Sequence, residues 1–135
     1  MPTFTHGKNA VLKVADSGAT LRDISSVLNK TGLKRSAETA ETSALGASSK
    51  SYIAGLKDAT ISLDGMADTT TSGYLDGILG VVTTWEFYPA GTTAGNVKYS
   101  GSGILTSLET GAEVGGVVSV TGELQVTGDV TRATV

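Results

Sequence analysis

Asp58-Ala59-Thr60-Ile61-Ser62-Leu63-Asp64-Gly65-Met66-Ala67 is the stretch on which the fold turns. Ala59, Ile61, Leu63, Gly65 and Ala67 alternate with Asp58, Thr60, Ser62 and Asp64. A pleated strand turns successive side chains to opposite faces, so this period of two describes a strand with one face on a core and the other on water. Residues 118–127 repeat the pattern: Val118, Val120, Gly122, Leu124 and Val126 alternate with Ser119, Thr121, Glu123, Gln125 and Thr127. Two such half-buried strands predict a mainly β protein.

Weaker strands lie around these two. Residues 9–15 keep Ala10, Leu12 and Val14 in phase, and residues 21–25 follow the turn-prone Asp16-Ser17-Gly18, which predicts an antiparallel hairpin. Residues 84–88 place Trp85 and Phe87 on one face and stop at Pro89-Ala90-Gly91, where proline removes a ladder donor. Residues 97–108 read as a long strand with a phase change between Gly103 and Leu105, which predicts a bulge or bend near Gly101-Ser102-Gly103. Residues 34–42 alternate poorly and hold almost no large apolar side chain, so a strand there needs something other than a private core. Tyr74, Leu75, Ile78 and Leu79 form a stripe at helical spacing and predict one helix over 71–79, with Thr70 or Thr71 as its cap and Gly80 left-handed just past its end. Residues 43–51, Ser-Ala-Leu-Gly-Ala-Ser-Ser-Lys-Ser, predict a loop that is mobile alone and ordered against a neighbour. The expected architecture is a β-sandwich or partly open barrel with one flanking α-helix, in one domain of residues 1–135.

Composition narrows the function. Aromatics make up 5% of the chain, and 18 glycines and many small residues leave few large anchors for a monomer core. With no cysteine, neither a disulfide framework nor a thiolate metal site is possible. A formal net charge of -3, with both signs scattered, argues against gripping nucleic acid through its phosphates. The N-terminus lacks a signal-peptide pattern, and no apolar run approaches the ~18 residues of a membrane span, so a soluble chain without membrane insertion is expected.

The search for chemistry returns little. His6 is the only histidine, too few for a zinc ligand set without cysteine, and a nucleophilic triad could recruit no other base. No Gly-x-Ser-x-Gly elbow and no phosphate-binding glycine motif exists. Asp58 and Asp64 share a strand face but stand six residues apart, roughly 20 Å at strand rise, too far for a glycosidase pair. Among the basic residues only Lys34-Arg35 are adjacent, which suits a solvated strand end or a charge contact between subunits. No enzyme and no cofactor is expected.

Several segments in order resemble the major tail tube protein family of long-tailed, siphovirus-like bacteriophages. They are Asp23-Ile24-Ser25 after the first hairpin, the Thr- and Glu-rich run from Glu38 into Leu45-Gly46, Tyr52-Ile53-Ala54-Gly55-Leu56 running into the strand that ends at Gly65, the aromatic corner Trp85-Glu86-Phe87-Tyr88-Pro89-Ala90-Gly91, and the closing strand Leu124-Gln125-Val126-Thr127-Gly128. The resemblance covers nearly the whole chain and is closer to non-contractile tails. It implies a structural virion protein, assembled in the host cytoplasm, whose six-membered rings stack into a tube that delivers DNA. Its partners would be itself and the tape measure, tail terminator and distal tail proteins.

On that reading Glu38, Asp58, Asp64, Thr121, Glu123 and Gln125 face the lumen, where they repel passing phosphates. Residues 43–51 and the N-terminal arm 1–8 are expected at the ring-stacking interface, through Leu45, Ala47, Ser48, Ser49, Lys50, Tyr52, Phe4 and His6. Two rival readings remain at this point: a capsid decoration or head-tail connector protein, and a β-sandwich adhesin or carbohydrate-binding module with an exposed aromatic patch.

Overall fold

A computed structural model describes residues 7–135. Seven strands build one antiparallel sheet: β1 (Val11–Ala15), β2 (Leu21–Asp23), β3 (Leu28–Glu41), β4 (Tyr52–Met66), β5 (Val82–Tyr88), β6 (Val97–Gly111) and β7 (Ser119–Thr134). Their order is β2-β1-β5-β6-β7-β4-β3, and the sheet is not closed. One helix, α1 (Thr69–Ile78), joins β4 to β5.

The alternation at 58–67 explains the core directly. Ala59, Ile61 and Leu63 of β4 are buried together with Val120, Leu124 and Val126 of β7, while the residues between them remain outside. Leu12 and Val14 from β1, Trp85 and Phe87 from β5, and Leu105 from β6 extend the same core, and Leu75 and Ile78 of α1 and Ile24 complete it.

The expected hairpin at 9–25 forms with Lys13 opposite Asp23. Its second strand stops at Asp23, where Ile24 turns into the core and Ser25–Val27 form a 3-10 turn. The Asp23 carboxylate accepts from the Ser25 backbone N–H at 3.0 Å and from its hydroxyl, which satisfies that turn locally. The β6–β7 register does shift between Ser100 and Ser102, but the extra residues, 128–130 against Gly101 alone, stand in β7, and the residue added to β6 is Thr106. A Cβ on Gly101 would stand 3.2 Å from Trp85 Cζ2, so glycine lets the indole, fully buried, approach β6 opposite that bulge.

Three expectations need correcting. Asp68, rather than Thr70 or Thr71, caps α1, accepting from the Thr71 N–H, because the helix starts two residues earlier. α1 ends at Ile78, one residue short of the expected Leu79, while Gly80 takes the expected left-handed φ of 78° just past the Leu79 cap and its N–H reaches across to the Leu105 carbonyl. The strands are longer than their alternation: β3 starts at Leu28, β4 at Tyr52, and β7 runs to Thr134. Residues 52–58 of β4 and 34–41 of β3 are exposed on both faces, so backbone pairing holds them without the burial contrast that a sequence pattern needs, while Leu28, Leu33 and Val130 only brush the core.

Candidate assembly site

Four strands, β3-β4-β7-β6, carry a polar face on the side away from the core. Register places Thr60 opposite Gln125, Ser62 opposite Glu123 and Asp64 opposite Thr121. On the other flank of β4, Lys30 faces Asp64 and Lys34 faces Thr60. Ser107 and Glu109 of β6 complete the row beside Glu123 and Thr121. The structure thus brings Asp64, Thr121 and Glu123 together around a shallow depression of about 270 Å³ that Lys30 and Ser107 also line. Asp58 and Gln125 are tied directly: the amide donates to Asp58 Oδ1 at 2.6 Å and to the Ala59 carbonyl at 3.0 Å. Glu38 continues the phase of Lys34 and Ser36, but it lies farther along β3, against Gly55.

Lys30, Lys34 and Glu109 were not among the residues expected on this face. Little in β3 alternates, because only its first half backs onto the core, and a second register shift, between Leu105 and Ser107, moves Glu109 out of the phase read for β6. The face therefore carries both signs, with Asp58, Asp64, Glu109 and Glu123 against Lys30 and Lys34.

Both borders of this face are open. Among the described residues nothing pairs with the outer edge of β3, and β5 leaves β6 after Ile104, so residues 106–111 lack a described strand on that side. Beyond Thr60, β4 and β3 diverge from β7 as a two-stranded arm, opening a cleft of about 740 Å³ beside Arg35, Lys57 and Asp129. Within the fork Arg35 lies over the Tyr99 ring at 5.0 Å; Lys34-Arg35 are solvated, as expected, but sit in the middle of β3 and not at a strand end.

Residues 42–51 connect the two strands of the arm. Its neck is pinned by Thr42 N–H to the Ser51 carbonyl (2.8 Å) and Ser51 N–H to Ser43 Oγ (2.7 Å). Leu45, Ala47, Ser48, Ser49, Lys50 and Tyr52 are all exposed, Leu45 completely. Phe4 and His6 lie outside the described residues, and Gly7–Asn9 form a 3-10 turn rather than a continuation of an arm to residue 8.

Titration behaviour is perturbed away from this face. The Tyr88 hydroxyl donates to Glu86 Oε1 at 2.6 Å, and that bond, with burial, pushes the phenol up to about 12. Lys98 sits 3.8 Å from the same carboxylate and, like Lys13, over the Tyr88 ring. Asp16 is held below the usual carboxylate range, first by its hydrogen bond from Arg22 and then by the Thr20 N–H. Both groups fasten strands to one another. Among the described residues no three carboxylate, imidazole or thiol groups converge as a metal donor set.

A model of the phage tail tube protein family matches residues 4–132. No curated protein matches the chain. Among solved structures, a chain from the virion of a native gene transfer agent particle superposes with a TM-score of 0.80 at 20% identity, covering 96% of this chain and 99% of that one. A chain from the tail of an empty gene transfer agent particle, refined with C6 symmetry, gives 0.78 at 18% identity over 96% and 99%. The SPP1 tail tube gives 0.75 at 12% identity over 97% of this chain and 80% of that one. With a family match along nearly its whole length, the chain belongs to the phage tail tube protein family.

Proposed function

We propose that six copies of this chain close into a ring through the open borders of the polar face, the free edge of β3 in one copy lying along residues 106–111 of β6 in the next. The observation that carries the reading is the pair of unpaired edges on one four-stranded face. Exposed edges are an aggregation hazard in a monomer, and closure into a barrel removes both at once. The six-fold symmetry is that of the gene transfer agent tail. Six copies of four strands make a barrel of 24 strands. At ~4.8 Å between strands and a tilt of roughly 40°, its backbone radius is roughly 24 Å, wide enough for double-stranded DNA.

Rings then stack into the tail tube of a virion. The polar face lines the lumen with Asp58, Asp64, Thr121, Glu123 and Gln125, and with Glu38 toward one mouth. The 42–51 loop, with Leu45, Ala47, Ser48, Ser49, Lys50 and Tyr52, contacts the adjoining ring, as would an N-terminal arm carrying Phe4 and His6. The whole chain serves as one tail-tube domain, with the tape measure, tail terminator and distal tail proteins as further partners. The role is structural and not catalytic: a single histidine and no cysteine supply neither a nucleophile–histidine triad with a second base nor a nitrogen–sulfur zinc set.

Negative-stain microscopy of the purified protein tests this reading. Tubes or stacked hollow rings are expected; monodisperse globules would overturn it. Single rings alone would favour a connector, and a stable monomer an adhesin. A sugar-binding role is disfavoured by the burial of Trp85, Phe87 and Tyr88, which leaves Tyr52, 54% exposed, as the one exposed aromatic among the described residues.

A further inference from the structure

We infer that the β6–β7 turn, residues 112–118, is the seat for the 42–51 loop of a second copy in the adjoining ring. The inference rests on the tube reading and adds the receiving surface, which neither the family nor the loop itself identifies. Loop 42–51 precedes Tyr52 at one end of β4. The 112–118 turn is fastened to the other end, where Ala67 N–H donates to the Val118 carbonyl at 2.8 Å and Met66 pairs with Ser119. The 15 residues of β4 separate the two by roughly 45–50 Å.

Each end presents a bare apolar side chain at its tip. Leu45 is 105% exposed and Val114 104%, with Val117 exposed beside the latter. Isolated exposed apolar residues are ordinary, but these two occupy the opposite poles of one strand axis, where head-to-tail stacking would bring them together. Charge is complementary as well: Lys50 is the one charge in loop 42–51 and Glu113 the one charge in turn 112–118. Neither forms an ion pair within the chain among the described residues. At the turn, Gly115 has a left-handed φ of 87° and the Gly116 N–H closes on the Glu113 carbonyl at 3.1 Å, so the backbone beside Val114 is free of side chains and open to close approach.

The two surfaces differ, so the contact is heterologous and propagates instead of closing. That geometry gives a tube polarity: every ring offers loops at one mouth and turns at the other. One exposed charge pair is weak, yet every subunit of every ring repeats it, and linked contacts multiply their effects on elongation.

Charge exchange tests the inference. Lys50→Glu and Glu113→Lys should each fold with unchanged circular dichroism and melting, and each should lose tube elongation in low-salt buffer. The double variant should regain it. Independently, zero-length carbodiimide coupling of parent tubes followed by mass spectrometry should recover a Lys50–Glu113 linkage that the unassembled subunit does not give. If both single variants elongate like the parent, or the double fails to recover, or tubes yield no such linkage, the seat lies elsewhere. These outcomes are distinct from failure of the parent to form tubes at all, which would remove the tube reading itself.

Discussion

At the scale of single residues, two glycines separate packing from propensity. A Cβ on Gly65 would fall 2.2 Å from the Val27 carbonyl oxygen and 2.8 Å from Leu28 Cα, both backbone atoms that cannot rotate away. Gly65→Ala should therefore destabilise the subunit by about 1–3 kcal/mol. Gly73 sits inside α1 with nothing within 4 Å of its Cβ position, and Gly73→Ala should stabilise by about 0.4–1 kcal/mol through helix propensity. Urea midpoints moving in opposite directions at constant slope would confirm the pair. Tyr88 supplies a pH-dependent counterpart. Its folded-state pKa of about 12 lies above the ordinary phenol value of 10.0, so the folded chain holds a proton that the unfolded chain releases earlier. The associated stability is complete below pH 10 and is lost as pH rises from 10 to 12. Ultraviolet titration should show one phenolate appearing near pH 12 in the parent, absent from Tyr88→Phe, and that variant should lose less stability across the same window.

At the scale of elements, the β3–β4 arm shows where sequence reading succeeds and where it stops. Residues 59–65 were legible because Ile61 and Leu63 meet a core while Ser62 and Asp64 meet water. Tyr52, Ile53 and Leu56 belong to the same strand but are exposed on an arm that only β3 pairs, so no burial contrast was written into them. The polar face was legible to the same extent: Asp64, Thr121 and Glu123 followed from alternation, whereas Lys30 and Lys34 needed the pairing of β3 and Glu109 needed the second register shift in β6. A two-stranded ribbon without apolar backing is marginal in water. Amides at 34–41 and 52–57 should accordingly exchange quickly in the free subunit, while those at 59–65 exchange slowly. On assembly the outer segment should become protected, because a neighbouring copy then covers it. Hydrogen exchange with mass spectrometry on subunit and tube reads the difference directly, and equal protection in the two states would contradict a role for the arm in assembly.

At the scale of the whole molecule, the question is how a mildly acidic chain with a net charge of -3 serves as a passage for a polyanion. The polar face carries four carboxylates, Asp58, Asp64, Glu109 and Glu123, against the ammonium groups of Lys30 and Lys34. If this face lines the lumen as proposed, that excess is repeated by every subunit around the ring and at physiological salt would repel phosphates within about 8 Å of the wall. Lys30 beside Asp64 and Lys34 beside Thr60 keep the repulsion moderate, and opposite charges on adjacent strands also support the sheet. Asp64 and Glu123 are the informative pair to change, because both are exposed and neither is tied as Asp58 is to Gln125. The double variant Asp64→Lys with Glu123→Lys should still form tubes of ordinary diameter, since neither side chain packs in the core. It should convert the lumen from repelling DNA to retaining it. In particles, ejection should slow, and purified tubes should bind short duplex DNA that parent tubes ignore. Raising the salt should release that DNA, because binding through phosphates weakens steeply with ionic strength. DNA ejection unchanged by the reversal, with tubes intact, would place the polar face on the outside of the tube and the opposite face of the sheet toward the channel.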